Sequence, residues 1–261
     1  MAQLKGFCKD CYTKGGEVRT FDVVKKNKVA CCPKCGKLID VDVAIEDYKN
    51  IMNELYEEAE YYLYKACDYQ NAWKTYSKIV NADSSDVYSR YGRILTLLYS
   101  STLREVKFDE IEFLFREDRN KYLRSSKYYE YYFRFLKIFN NGLCDYQQFL
   151  VNNLAEAGYF YEFGCVSLYY LRLNELKKMK KIVCDEMLFL TEKDDNAEYL
   201  NFREVVENEL GQIQVMIKSD VTDIKGIIYK CGRIGLNGKP IVGQTDRREI
   251  IRKKFNKKLY S

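Results

Sequence analysis

Residues 45–82 read IEDYKNIMNELYEEAEYYLYKACDYQNAWKTYSKIVNA, and their spacing decides the fold class. Ile45, Tyr48, Met52, Leu55, Tyr56, Ala59, Tyr62 and Leu63 recur at three and four, which lays them along one face of a long helix. CDYQNAWKTYSKIVNADSSD (67–86) continues as a turn, a second helix and a polar loop, and DVYSRYGRILTLLY (86–99) starts a third helix. Prolines stand only at Pro33 and Pro240, so no ring blocks a helix between them. The chain is expected to be mainly α.

The same pattern runs outward. KYYEYYFRFLKIF (127–139) puts Tyr129, Tyr132, Phe133, Leu136 and Phe139 on one face, and NNGLCD (140–145) reads as the turn that ends that helix. Residues 146–190 read as two helices broken near Gly158 to Gly164, and residues 196–219 as another. The chain has 24 tyrosines. Their stripes are read as core and helix-crossing contacts with hydroxyls reaching the surface, the other reading being a ligand-binding groove.

Residues 56–95 resemble a tetratricopeptide repeat, whose paired helices use large residues in the first helix and small ones where the helices cross. Tyr56, Ala59 and Leu63 match the first helix, Tyr69 the turn, and Ala72, Tyr76 and Ile79 the second. Tyr88, Tyr91, Gly92 and Leu95 open a further repeat a little early. Glu60 stands where the family has a small residue, no proline closes the loop, and the register fails beyond residue 98, where Arg104 occupies a small-residue position. The resemblance implies antiparallel helix pairs with a groove for a partner; a plain helical bundle is the other reading.

The first 35 residues hold five cysteines, and the whole chain holds no histidine. Cys8 and Cys11 make one C-x2-C pair, and Cys32 and Cys35 a second after a gap of twenty residues. Two such pairs supply four soft sulfurs, the donor set of a closed tetrahedral site suited to structural Zn2+. Cys31 loses the C-x2-C spacing to Cys35 if it replaces Cys32, so it is read as a strand residue on the other face. Between the pairs, EVRTFDVV (17–24), the polar turn KKNK (25–28) and KVACC (28–32) read as strand, turn and strand, and KLIDVDV (37–43) as a third strand. A unit this small has little core, so metal would supply much of its folding free energy. Residues 5–43 resemble a zinc ribbon. Cys67, Cys144, Cys165, Cys184 and Cys231 are isolated and read as small core residues.

The organisation expected is therefore a zinc ribbon at 1–43, a helical repeat-like domain at 44–220, and a tail at 221–261. In the tail, IKGIIYKCGRIGLNGKPIVG (224–243) reads as a small β-hairpin and residues 246–258 as a basic helix docking Ile250, Ile251 and Phe255. Its glycines do not make a phosphate loop: Arg233 and Pro240 stand where such a loop needs glycine and Ser/Thr. The three segments carry net charges of +4 over residues 1–45, −7 over 46–220 and +8 over 221–261. The acidic middle argues against a continuous phosphate-binding track.

No apolar run is long enough to span a membrane, and MAQLKGFCKDC lacks the apolar stretch of a signal peptide, so a cytosolic protein without a membrane partner is expected. The absence of histidine removes Ser-His and Cys-His nucleophile pairs. The expected function is a non-catalytic zinc-binding scaffold for a protein or peptide partner. The alternative is a nucleic-acid-binding protein gripping phosphates with Lys25, Lys26 and Lys28 of the ribbon tip and Arg247, Arg248, Arg252, Lys253 and Lys254 of the tail. An enzyme using carboxylate or lysine chemistry is a third class, with no motif to name its residues.

Overall fold

A computed structural model of the chain describes residues 4–15, 18–102, 104–122, 128–157 and 163–231. Their order is β1 (Leu4–Phe7), α1 (Lys9–Gly15), β2 (Thr20–Val23), β3 (Val29–Cys31), β4 (Leu38–Asp40), α2 (Val41–Glu60), α3 (Tyr69–Ala82), α4 (Val87–Tyr99), α5 (Phe108–Tyr122), α6 (Tyr129–Ala157), α7 (Phe163–Lys193) and α8 (Ala197–Cys231). The fold is mainly α, with two small antiparallel strand pairs at the N-terminal end. No helix among the described residues is long and apolar enough to cross a membrane. Two compact units meet at the Ser100–Ser101 junction.

In the first unit β1 pairs with β2, and Lys5, directly opposite Asp22, closes an ion pair at 2.7 Å. The pair β3–β4 sets Val29 against Asp40 and Cys31 against Leu38. Two features differ from the sequence reading. The partner of β2 is the unforeseen strand β1, so the unit is two hairpins rather than three successive strands. The last strand also stops at Asp40, because its carboxylate accepts the amides of Asp42 at 2.9 Å and Val43 at 3.4 Å and caps α2. Val41 to Val43 are thus helical.

Helix α2 buries Val41, Ala44, Ile51, Met52, Leu55 and Ala59, the stripe expected of a 3.6-residue period. It passes into one π-helical turn, Tyr61–Lys65, closed by Ala66 N–H on the Tyr61 carbonyl at 2.9 Å. Asp68 caps α3 through the Asn71 amide at 3.1 Å, and Asp86 caps α4 through that of Ser89 at 2.7 Å. Tyr48 of α2 donates to Asp83 in the α3–α4 connection at 2.8 Å. Helix α3 packs on α2 and on α4, and Tyr76, Ile79, Ile94 and Leu98 are almost fully buried there. The connections are short, which makes neighbouring helices antiparallel.

In the second unit α7 packs against α6 and α8. Leu173, Leu176, Met179, Val183, Met187 and Leu190 form its buried stripe at intervals of three and four. Tyr132, Phe133, Leu136 and Phe139 are buried on α6, with Phe133 stacked obliquely on Tyr199 at 4.5 Å between centroids.

The turn expected at 140–145 does not form, and α6 runs through it to Ala157. Its polar residues are held by neighbouring helices instead. The Lys180 ammonium, fully buried, reaches Asn140 Oδ1 at 2.7 Å, Glu209 Oε2 at 2.6 Å and Cys144 Sγ at 3.1 Å, and Asn140 donates to Glu209 at 3.0 Å. Tertiary bonds override a local turn preference here.

The hairpin expected from residue 224 is also corrected. Residues 224–231 continue α8, so the boundary at 221 falls inside a helix. No proline interrupts α8, and its two interior glycines, Gly211 and Gly226, each cost a helix only about 1 kcal/mol. The rest of the expected hairpin and the basic helix at 246–258 lie outside the described residues.

Candidate metal centre

The first pair of thiols sits at the end of β1 and in α1. Cys8 follows β1 directly, and its carbonyl accepts the amides of Cys11 at 3.1 Å and Tyr12 at 3.3 Å. That tight start of α1 turns both sulfurs to one side. The second pair sits in the β3–β4 connection, where Gly36 N–H bonds the Cys32 carbonyl at 2.9 Å and Cys32 N–H the Lys37 carbonyl at 2.9 Å. Gly36 has φ of +72°, a left-handed conformation open to glycine at little cost, which explains the G that follows CPKC.

These two knuckles bring Cys8, Cys11, Cys32 and Cys35 together, with all four sulfurs within 4.8 Å of one another. Cys8 Sγ lies 3.8 Å from Cys35 Sγ, and Cys11 Sγ lies 3.7 Å from Cys32 Sγ. Thiolates about 2.3 Å from a tetrahedral ion lie about 3.8 Å apart, so the two spacings fit one ion at the centre. They are far too long for disulfides, whose sulfurs lie about 2.05 Å apart. Four thiols at this spacing could hold a metal ion. Cys8 and Cys32 are buried, with Phe21 and Ile39 packed against the cluster.

The electrostatics follow from crowding. Cys11 is pushed up to about 12, first by hydrogen bonding to Cys35 and then by burial. Burial also raises the Cys8 thiol. Burial acts the same way on Cys32, but amide N–H groups of Cys35 and Lys34 outweigh it and bring that thiol to about 7. Cys31 is exposed and stands apart, its thiol directed to the Gly36 carbonyl at 3.5 Å.

A surface recess beside the cluster is lined by Asp10, Lys14, Lys34 and Lys37 as well as Cys11 and Cys35. Lys37 pairs with Asp10, which holds the Asp10 carboxyl below its usual range. This basic collar was legible in the sequence, as lysines interleaved with the two knuckles, but spacing arguments about cysteine pass over it. Lys25, Lys26 and Lys28 are exposed on the connection between β2 and β3. Arg247, Arg248, Arg252, Lys253 and Lys254 lie outside the described residues. Among the isolated cysteines, Cys67 is exposed rather than core, and Cys144 and Cys184 are half-buried. The side chains of Cys165 and Cys231 are outside the described set.

Comparison with known protein families, with curated proteins and with solved structures finds no match to this chain.

Proposed function

We propose that the protein is a non-catalytic interaction scaffold whose N-terminal hairpins are stapled by one structural zinc ion. The observation that carries the reading is the set of four sulfurs within 4.8 Å of one another, two pairs of them at 3.7 and 3.8 Å. Cys8, Cys11, Cys32 and Cys35 would hold the ion and leave no coordination position open, which suits cross-linking rather than chemistry. Four thiolates on a divalent cation leave two negative charges. The amides directed at Cys32 and the lysines of the collar offset them.

The interaction half of the proposal rests on helices α2 to α4, read as one tetratricopeptide-like pair and the start of a second. Ala59, Ala72 and Gly92 are buried where those helices meet, as small crossing residues should be. Tyr61, Tyr64 and Tyr88 stand about half exposed on the outer surface. Large aromatic rings left in water are the residue type that protein interfaces concentrate.

The test is affinity capture with the zinc-loaded chain in the presence of nuclease. A partner retained after nuclease and moderate salt supports the scaffold. Capture that disappears with nuclease supports the alternative, phosphate binding by Lys25, Lys26 and Lys28, and a Lys→Gln triple variant would then lower the salt dependence of retention.

A further inference from the structure

Five side chains on α2, its π-helical extension and α4 form one continuous surface row. The Tyr88 ring meets that of Tyr56 edge to face at 5.2 Å, and the Tyr64 ring meets that of Tyr99 at 6.4 Å. Glu60 lies between the two aromatic pairs and accepts the Tyr88 hydroxyl. Burial first, and then Tyr99 and Glu60 beside it, push the Tyr64 phenol up to about 12. Tyr64 is 51% exposed and Tyr88 48% exposed, so ring surface faces water on both sides of the carboxylate.

The backbone beneath the row is irregular. The π-helical turn Tyr61–Lys65 adds one residue to the helix just past Glu60, and such single turns are frequent at functional sites. Two residues past its end stands Cys67, a non-glycine residue with φ of +52°.

Charge selects the occupant. Near the row, α2 carries Glu54, Glu57, Glu58 and Glu60, and Asp86 accepts the Tyr56 hydroxyl, against Lys65 of the extension and Arg90 and Arg93 of α4, so acid exceeds base there. That field repels phosphate and attracts a cation. Tyrosine faces add a quadrupole that favours a cation above the ring, and a planar guanidinium both stacks on a ring and forks onto a carboxylate. A carboxylate accepts at both oxygens, so Glu60 can take a guanidinium while keeping the Tyr88 hydroxyl.

We infer that the Tyr56–Tyr88–Glu60–Tyr64–Tyr99 row is the docking surface for an arginine-bearing peptide segment of a partner protein, with arginine stacked on Tyr64 or Tyr88 and paired with Glu60. The inference rests on the scaffold reading and specifies its partner's chemistry.

The test uses the full zinc-loaded chain with isotope-labelled tyrosine rings. It is titrated with a short flexible Gly/Ser peptide carrying three arginines, with the same peptide carrying glutamines, and with a short single-stranded oligonucleotide. Saturable shifts of the Tyr64 and Tyr88 rings with the arginine peptide, absent with the glutamine peptide, are expected. Glu60→Gln should weaken binding about five-fold, and Tyr64→Ala by a similar factor. Thermal unfolding of each variant shows whether its fold is intact, and Tyr64→Phe, which keeps the ring, should retain binding. Unmoved Tyr64 and Tyr88 rings, equal affinity in Glu60→Gln, or stronger shifts with the oligonucleotide overturn the inference. A nuclease-resistant partner whose capture is unchanged by Glu60→Gln and Tyr64→Ala sinks this surface and leaves the scaffold standing. The absence of any such partner sinks the scaffold itself.

Discussion

A β-carbon placed on Gly92 would lie 2.4 Å from Cε1 and Cζ of Tyr76, so the tyrosine ring occupies the space a side chain would need. Tyr76 is 1% exposed and has no route to move aside into solvent. Helices α3 and α4 therefore approach as closely as they do because residue 92 has no side chain. Gly92→Ala gains about 1 kcal/mol in helix propensity. It also overpacks a filled interior, at a cost of about 1–3 kcal/mol. We expect net destabilisation, measured as a lower urea midpoint. Tyr76→Leu in the Gly92→Ala background should recover part of the loss, and a double-mutant cycle showing no coupling between the two sites would contradict this account.

The cysteines of the two knuckles should divide sharply from Cys31. Cys8→Ser or Cys35→Ser is expected to lose bound zinc and to speed amide exchange over residues 4–40 while the helices of the second unit stay protected. Cys31→Ser should keep one zinc per chain, since its sulfur stands outside the cluster. Metal analysis of the purified variants decides both. Full occupancy in a Cys8/Cys11 double variant, or metal loss in Cys31→Ser, would overturn the ligand assignment.

Cys67 sits in the left-handed region just past the α2 extension, with Asp68 N–H returning to the Tyr62 carbonyl at 2.9 Å. A left-handed residue just past a helix end is the position where glycine is commonest. An L-residue there costs about 1–2 kcal/mol, and the larger unfolded-state entropy of glycine takes back part of what substitution recovers. Cys67→Gly should raise stability by about 0.5–1 kcal/mol, whereas Cys67→Ala, which keeps the β-carbon, should change little. Denaturant midpoints of the two variants check the difference. Equal midpoints would mean that the backbone conformation is not the cause.

The legibility of this molecule in its sequence varied with the range of the forces involved. Helix α2 was readable because Met52, Leu55 and Ala59 obey a local period, and all three are buried. The cysteine spacing was readable because a knuckle is built within a few residues. The pairing of β1 with β2 was not, since Leu4–Phe7 is four residues long and acquires its role only from a partner thirteen residues away at the near end, Phe7 opposite Thr20. The continuation of α6 through Asn140 was hidden for the same reason. Its stabilising partners, Lys180 and Glu209, lie 40 and 69 residues away. A local turn signal cannot register bonds at that distance. The exposed Cys67 was misread because its conformation follows from how the preceding helix ends, and composition around it says nothing of that.

Lys180 and Glu209 make the last prediction. Burial alone would raise the Glu209 carboxyl, but the Lys180 ammonium and the Asn140 amide outweigh it and hold the group below its ordinary value of 4.5. A carboxyl whose folded value is lowered contributes stability that is fully present above its unfolded value. That contribution is lost as pH falls through the folded value. Stability at neutral pH should therefore include this pair, and part of the acid sensitivity below about pH 4.5 should disappear when it is removed. Lys180→Ala deletes a fully buried side chain and strands its partner, so a loss of about 3–5 kcal/mol is expected. The double substitution Lys180→Met with Glu209→Gln replaces the ion pair by a neutral pair of similar volume. It should cost far less, because two charges no longer have to leave water. It should also flatten the pH profile. Urea midpoints at several pH values for the parent and the two variants decide the matter: a double variant as unstable as Lys180→Ala, or a profile with the parent's slope below pH 4.5, would show that the pair does not lock α6, α7 and α8 in the way its geometry implies.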